Sequence, residues 1–600
     1  MRLLRYIIII GATAALLLWL AQLAADSDER RNNIPDEEQT GEPAPYPTDF
    51  EEQLRREPRL AISLLPEEQL PADLPWQNGQ PAPSIGSPQA RKGGTLRLSN
   101  VGPFPANFLA FGSPTPQFFH YNLFTNIDIP LVREHPATGQ EIPGLAETWC
   151  RRGHSLFFQL QTKARYSNGR PVRARDFALG TLLRLRCGDC TIAQHINALK
   201  IYGDSTLEVI LSHPHPAPEL TISQLLRPAE PGFYRDFGQD YAQRYAQRIP
   251  PTTGAYTVTE VQRGRRIVLS RIPHWWAAEL PGFRHTHNVD RIEHHFLTDE
   301  AQVWELFLRG GLDLVQTRNV TAWQSKLEGV AAAEDGRIVQ HTLELKLPMP
   351  PYGIAFNTRT LPDLNLRKGL MHALDMPGAI ATLFRGYAEQ LPHFTTGYRQ
   401  APHTCPRYDY NPEKARAAFA RAGYTKQGKD GILSKADGSR LRVHFAYTPS
   451  DKLSTLATHL VQSAAACGAE LVLQPQAWQH LDRQVNEGQH ELIFWATMPG
   501  YPLPNYERFF HSSARGADAP FLLNDKEIDA AIETVQQSAT AELTAQAVAH
   551  LDRLIFERAI WLPGWMENQA LIAAWQHVKL PTNYTGVYDV AESHQLRIEP

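Results

Sequence analysis

Methionine and cysteine are scarce in this chain, six and five in 600 residues, and no excess of either charge is present, the formal balance being −4. A chain without a basic surplus has no electrostatic footprint for nucleic acid. A Gly-x-Ser-x-Gly elbow and an HExxH helix are also missing, so an enzyme reading has no nucleophile and no metal to start from. Cys187-Gly188-Asp189-Cys190 has redox or zinc spacing, yet no second CxxC and no thioredoxin-like βαβ context accompany it. The pattern favours a structural disulfide between two of Cys150, Cys187 and Cys190 in an exported protein, with Cys405 and Cys467 in the second half and one thiol left over.

One long apolar run is present. Arg2 and Arg5 precede Tyr6–Ala25, which is apolar apart from Gln22, and Asp26, Asp28 and Glu29 follow it. About 20 such residues cross a hydrocarbon core as a helix, and the charge asymmetry leaves everything after them outside the cytoplasm. The run is a signal peptide or a signal anchor. Cutting after Ala25 or Ala24 puts Leu23 or Gln22 at the third position before the cut, where a small residue is wanted, so an uncleaved anchor over residues 1–25 is favoured. No cysteine near the end of the run offers a lipid attachment point. Residues 26–92 are rich in Pro, Glu, Asp, Gln and Arg and read as an extended linker that builds no core. A short helix within Leu54–Leu70 is the one element suggested there.

From Gly93 onward the composition is globular and long enough for two or three domains. Thr257–Val261 and Arg266–Ser270 alternate as strands should, with Arg263-Gly264-Arg265 as their turn, and Trp275-Trp276 follows. Such a hairpin places rigid aromatic surface beside an opening. Asn168-Gly169 supplies a tight turn and Pro171 stiffens the exit toward a helix starting near Ala174. Glu300–Arg309 reads as a helix stopped by Gly310-Gly311 before a strand at Leu312–Val315. Asn411 and Pro412 mark the start of another helix, and helices are expected over Asp525–Val535 and Leu543–Phe556.

Two kinds of feature invite a sharper chemistry and fail to support it. Gly423 to Asp430 nearly spells a phosphate-binding loop, but Asp430 stands where Ser or Thr must hold magnesium, and the segment leaves a helix instead of entering one. His213 with His215, His285 with His287, and His294-His295 are spaced for chelation, but no further ligand stands at diagnostic spacing, so solvated or strand-face histidines are expected. No metal and no cofactor are anticipated.

Several segments, in order, resemble the family 5 extracellular solute-binding proteins that serve ABC transporters. The opening strand Gly93-Gly94-Thr95-Leu96 resembles the start of that family, followed by a cleft loop at Val101–Phe108. Leu145-Ala146-Glu147-Thr148-Trp149, the turn Tyr166–Phe177, the Pro251–Tyr256 hairpin entry and the helix ending in Gly311-Leu312-Asp313 follow in the family's order. Next come Phe356-Asn357-Thr358, Tyr410–Arg416 and the apolar Ile560–Trp565. Asn357–Arg359 and Trp495–Ser513 are most similar to the branch that binds longer peptides and peptide-nucleotide antibiotics such as microcin C. The resemblance implies an α/β, two-lobed periplasmic-binding-protein fold (type II, large cluster C) with a hinge, preceded by the transmembrane helix and linker. Lobe I would span 93–345 with an extra subdomain, lobe II 346–569, and 570–600 would return to lobe I.

What the family does sets the functional expectation: a membrane-tethered periplasmic monomer, not an enzyme, that captures a peptide or peptide-like solute and delivers it to ABC permease subunits. An anchored signalling or docking module of the same fold is the alternative, with an exported peptide hydrolase behind it. Glu491–Met498 is the strand expected to bind ligand backbone, by β-augmentation. Relatives place there an Asp that pairs with the ligand's free amino terminus, and this chain has Met498. A buried amine facing Met498 would lack a partner, at a cost of several kcal/mol. Longer or amino-terminally blocked peptides are therefore favoured over free di- and tripeptides. The expected ligand contacts are Phe104 and Phe108 in lobe I, and Trp495, Ala496, Thr497, Met498, Tyr501 and Asn505 in lobe II. For Trp495 a core position is an equal expectation.

Overall fold

The computed structural model describes residues 45–599 except 80, 113–122, 124–126, 137, 190, 216, 239, 345–349, 399–400, 403–404, 497–499, 501–502, 517–518, 568 and 582–595. The apolar run at residues 6–25 thus lies outside the described residues. Among those described, no helix is long and apolar enough to cross a membrane.

The chain enters the fold far earlier than its composition suggests. Helix α1 (Phe50–Arg55) buries Phe50 and Leu54, and β1 (Ala61–Leu65) pairs in parallel with a strand well over a hundred residues later. The reading of 26–92 as a linker is therefore corrected from Pro45 onward. Tyr46 stacks on Phe50, and its hydroxyl donates to Asp176 at 2.6 Å. Four buried apolar residues, Phe50, Leu54, Leu60 and Ile62, hold the segment down, spaced widely enough to escape a periodicity search.

Two larger sheets, of five and four strands, organise the first lobe among the described residues. After β2 (Thr95–Val101) come β3 (Ala146–Arg152), β4 (Ser155–Leu160), helix α2 (Ala174–Arg186), β5 (Ile196–Tyr202) and β6 (Thr206–Leu211). The five-stranded sheet runs β1-β5-β6-β4-β3. The turn before α2 forms as expected: Gly169 sits at φ +81°, its N–H donates to Tyr166 O at 2.9 Å, and the helix starts at Ala174. Asp176 accepts from the Arg173 N–H at 2.9 Å and from the Tyr166 hydroxyl at 3.0 Å. The hairpin is β7 (Tyr256–Gln262) and β8 (Arg266–Arg271), which with β9 (Arg291–Leu297) and β2 makes the second sheet, β2-β9-β8-β7. Helix α3 (Glu300–Leu308) is followed by Gly310 at φ +76° and leads to β10 (Leu314–Thr317) and β11 (Ile338–Glu344).

A second five-stranded sheet organises the other lobe. It starts with β12 (Tyr352–Phe356), and helix α4 (Met376–Phe384) follows. Then β13 (Arg442–Tyr447), helix α5 (Asp451–Ala466), β14 (Glu470–Pro475), helix α6 (Trp478–Asn486) and β15 (Leu492–Ala496) alternate as an α/β unit. Helices α7 (Tyr506–Phe510), α8 (Lys526–Gln536) and α9 (Ala541–Glu557) precede β16 (Trp561–Pro563), and the order across the sheet is β14-β13-β15-β12-β16. Finally β17 (Gln569–Trp575) lies between β10 and β11 in a three-stranded antiparallel sheet. The chain thus crosses between the three- and five-stranded sheets twice, from β11 to β12 and from β16 to β17.

The expected disulfide is not formed. Cys150, Cys187, Cys405 and Cys467 are free thiols, and Cys190 lies outside the described residues. Burial pushes the Cys150 thiol up and the Cys187 thiol up to about 11, which makes both poor nucleophiles at neutral pH. The apolar packing of the first lobe leaves it little need of a covalent staple.

Candidate functional site

The sheet of the second lobe reverses its winding direction at β13. From β13 the chain steps to β14 on one side through α5, then crosses back past β13 to β15 through α6. Because parallel crossovers are right-handed, opposite steps put the two helices on opposite faces. Accordingly, Leu456 and Leu460 of α5 pack in one cluster with Val443 and Phe445, whereas Leu481 and Val485 of α6 pack in the other with Ala446 and Ile493. Open α/β sheets bind ligands where the winding reverses, outside the carboxyl ends of the strands. Here that edge is made by Thr448–Lys452, Gln476–Trp478 and the end of β15. Tyr352 and the segment after Pro563 join it, because β12 runs antiparallel to its neighbours and starts opposite Ala496.

Trp478 stands at this edge with 56% of its surface exposed, although large apolar side chains are generally buried. It occupies the first turn of α6, next to the carboxyl end of β14. Thr448 Oγ1, Trp565 Nε1 and Gln569 Oε1 are buried and find no hydrogen-bond partner among the described residues. Buried polar atoms are nearly always satisfied, and these three belong to fourteen such exceptions spread over the described residues. Charge gathers there too. Glu567 Oε1 takes Lys452 Nζ at 2.6 Å and Oε2 takes Arg318 at 3.4 Å, with the carboxylate only 10% exposed.

The residues expected from sequence divide sharply. Ala496 is exposed at the end of β15, as a strand offering its backbone must be. Trp495 is 4% exposed and packs against Phe509 at 5.7 Å and Phe521 at 5.2 Å, so it belongs to the core, as side-chain alternation along β15 dictates. Phe108 is buried at 3%, and Phe104 is half-buried against Phe296, ring centroids 4.7 Å apart. Asn505 spends its side chain capping α7, accepting from Arg508 N at 3.0 Å. Thr497, Met498 and Tyr501 lie outside the described residues. The Trp275-Trp276 pair does not wall an opening: both indoles donate to Thr253 O, at 3.0 and 2.8 Å, and Trp275 packs on Phe283. Sequence reading missed Trp478, whose one signal is an aromatic residue at the very start of a short helix after a strand.

Among the described residues no group of three or more His, Cys, Asp or Glu side chains is arranged to hold a metal ion. His215 Nδ1 accepts from Ala217 N, and His294 is hydrogen-bonded to Asn100, with burial pushing its imidazole down to about 4. Asp430 lies in the turn of a two-stranded ribbon and pairs with Arg440, so the phosphate-loop lookalike forms a hairpin. A pocket of about 350 Å³ opens on the flank of the second lobe, lined by Pro377, Ile380, Ala381, Ala388 and Arg407. It lies beside edge strand β16, and neither Trp478 nor Ala496 reaches it.

Two lobes joined by a double crossover are the plan of the bacterial periplasmic-binding-protein fold. Residues 140–517, well over half of the chain, match the model of the bacterial extracellular solute-binding proteins, family 5, and the chain belongs to that family. A Brucella melitensis protein named as a binding protein is 24% identical over 374 residues, 55% of this chain and 60% of its own length. The chain thus matches less than two thirds of that relative. The fold is that of NikA from Brucella suis, solved with Fe(III)-EDTA (TM-score 0.69, 21% identity, 84% of this chain and 100% of that one). AppA from Bacillus subtilis, an oligopeptide-binding protein solved with a nonapeptide, superposes similarly (TM-score 0.67, 15% identity, 85% and 100%).

Proposed function

We propose that this chain is a periplasmic receptor, held to the inner membrane by residues 6–25, that closes its two lobes on a peptide-like solute and presents it to an ABC permease. The observation that carries the reading is the carboxyl edge of the second-lobe sheet. An exposed strand end at Ala496 and an exposed aromatic at Trp478 lie at that edge. A strand end offers main-chain hydrogen bonds to any peptide, and an indole accepts varied side chains, a combination suited to reading backbone more than sequence. Met498 in place of the carboxylate directs the preference toward longer or amino-terminally blocked peptides. The nonapeptide bound to AppA supports the same ligand class.

A thermal-shift screen of peptides differing in length and in amino-terminal blocking tests this. A ligand at a hundred times its Kd stabilises the folded state by about 2.7 kcal/mol, and blocked or longer peptides are expected to raise the midpoint while being recovered intact by mass spectrometry. Tighter binding of free dipeptides would refute the preference. Cleavage of the peptide, or no shift with any of them, would refute the receptor.

A further inference from the structure

We propose that Tyr398 is a positioning residue for solute binding: it ends a buried brace, residues 390–398, that fixes the segment after β15 relative to the segment after β16 before a solute arrives. This rests on the reading of that edge given above. Strands β15 and β16 finish at the same edge of the sheet, yet each pairs with β12, which lies between them. Two inter-strand spacings, about 10 Å, therefore separate the chain segments that leave them. An edge made of segments so far apart keeps one shape only if something else ties them together.

One stretch of chain reaches both. Gln390 Nε2 donates to Pro563 O at 2.9 Å and the Leu391 N–H to Gly564 O at 2.8 Å, where β16 ends. At its other end the Tyr398 hydroxyl donates to Gly500 O at 2.7 Å, shortly after β15. Between these contacts Phe394 packs on both strands, its ring centroid 6.1 Å from Trp495 of β15 and 5.4 Å from Trp561 of β16. His393 and Thr395 engage α9, where Asp552 accepts from the Thr395 hydroxyl and stands 3.1 Å from His393 Nδ1. The Asp552 carboxylate is only 1% exposed. Burying a carboxylate costs solvation that its partners offset only in good geometry, so the contact fixes position more than it adds stability.

The contact at Gly500 is the one that bears on binding. Gly500 has φ +89°, and a Cβ there would stand 3.2 Å from Leu503 O and 3.4 Å from Asn505 N, close to the cap of α7. Glycine is conformationally permissive, so its own chemistry does not select this backbone, and an outside hydrogen bond is needed to do so. Tyr398 is buried and stiff, and delivers its hydroxyl from a fixed base. Ordering a binding segment in advance lowers what must be spent to fix it when the solute arrives. Tyr408 supplies the comparison: it is equally buried in the same lobe and donates to Phe556 O at 3.0 Å, on α9, touching neither segment.

Tyr398→Phe and Tyr408→Phe thus delete equivalent hydroxyl groups, and both are made in the whole protein. Amide hydrogen exchange without solute is expected to rise about fivefold or more at residues 503–506 in Tyr398→Phe and not in Tyr408→Phe, with both thermal midpoints within about 3 °C of native. Stopped-flow binding of amino-terminally acetylated, carboxyl-amidated pentapeptides and nonapeptides should be about threefold to tenfold weaker in Tyr398→Phe and unchanged in Tyr408→Phe. The loss should fall on the association rate, as a smaller binding-competent population requires. Gln390→Met, at the other end of the brace, should raise exchange at 563–567 and weaken binding in the same way. Unchanged exchange at 503–506 in Tyr398→Phe, raised exchange with unchanged affinity, or equal loss of affinity in both Phe variants overturns the positioning role while the receptor reading stands. Failure of every peptide to bind the native protein overturns both.

Discussion

At the scale of single residues, two tryptophans seventeen positions apart separate packing from recognition. Trp495 lies on the face of β15 that points into a nest of Phe394, Phe509 and Phe521, and Trp478 lies in water at the start of α6. Trp495→Ala is expected to cost about 3–5 kcal/mol of stability, as deletion of a buried aromatic does. Trp478→Ala should leave stability within about 0.5 kcal/mol and weaken peptide binding about tenfold or more, as loss of an aromatic anchor does. Denaturant unfolding and calorimetry on the same two variants decide it. If Trp478→Ala unfolds the protein and Trp495→Ala weakens only the ligand, the assignment is reversed. The sequence could not assign these roles, because one tryptophan lies near a strand end and the other opens a helix, and neither position by itself says which side meets the core. Residue type, turn chemistry and capping were legible, as at Gly169 and at Asn411, whose side chain accepts from Lys414 N at 2.9 Å.

At the scale of elements, hairpins and helices marked by glycine, proline and capping residues matched expectation to within a residue or two, including β7–β8, α2, α3, α8 and α9. What escaped was an element whose stability comes wholly from its neighbours. The strap made by α1 and β1 has too few apolar residues to announce itself, and becomes structure only because β5 offers an open edge and Asp176 a buried acceptor. That acceptor has a pH signature. Burial, working against the Tyr46, Arg173 and Tyr166 hydrogen bonds, pushes the Asp176 carboxyl up to about 7, and burial with the nearby Glu219 pushes Glu141 to about 7 as well. A carboxyl whose folded value is raised binds more protons folded than unfolded, so its contribution is full below about pH 4 and is lost as pH rises through 7. The thermal midpoint should therefore carry a falling component between pH 4 and 8, and Asp176→Asn should flatten part of it. An unchanged pH profile in that variant would show that Asp176 is ionised in the folded protein throughout.

At the scale of the whole molecule, the two-lobed plan was legible because motifs recurred in a fixed order along most of the chain, each fixed by local chemistry. The crevice was only half legible. Its strand, β15, could be located, but which side chains reach its edge depends on the reversal of winding at β13 and on the antiparallel insertion of β12 between β15 and β16, which only the assembled sheet reveals. The same assembly brings Arg318, Lys452 and Glu567 together from positions 249 residues apart at their extremes, a grouping that no motif search would make. The central claim is that ligand is held at the carboxyl edge of the second-lobe sheet. Amide hydrogen exchange with and without the tightest peptide of the screen tests it most directly. Protection is predicted to concentrate at residues 448–452, 476–480 and 563–567, whereas protection confined to the flank pocket around 377–390 and 407–409, or spread evenly, would contradict it.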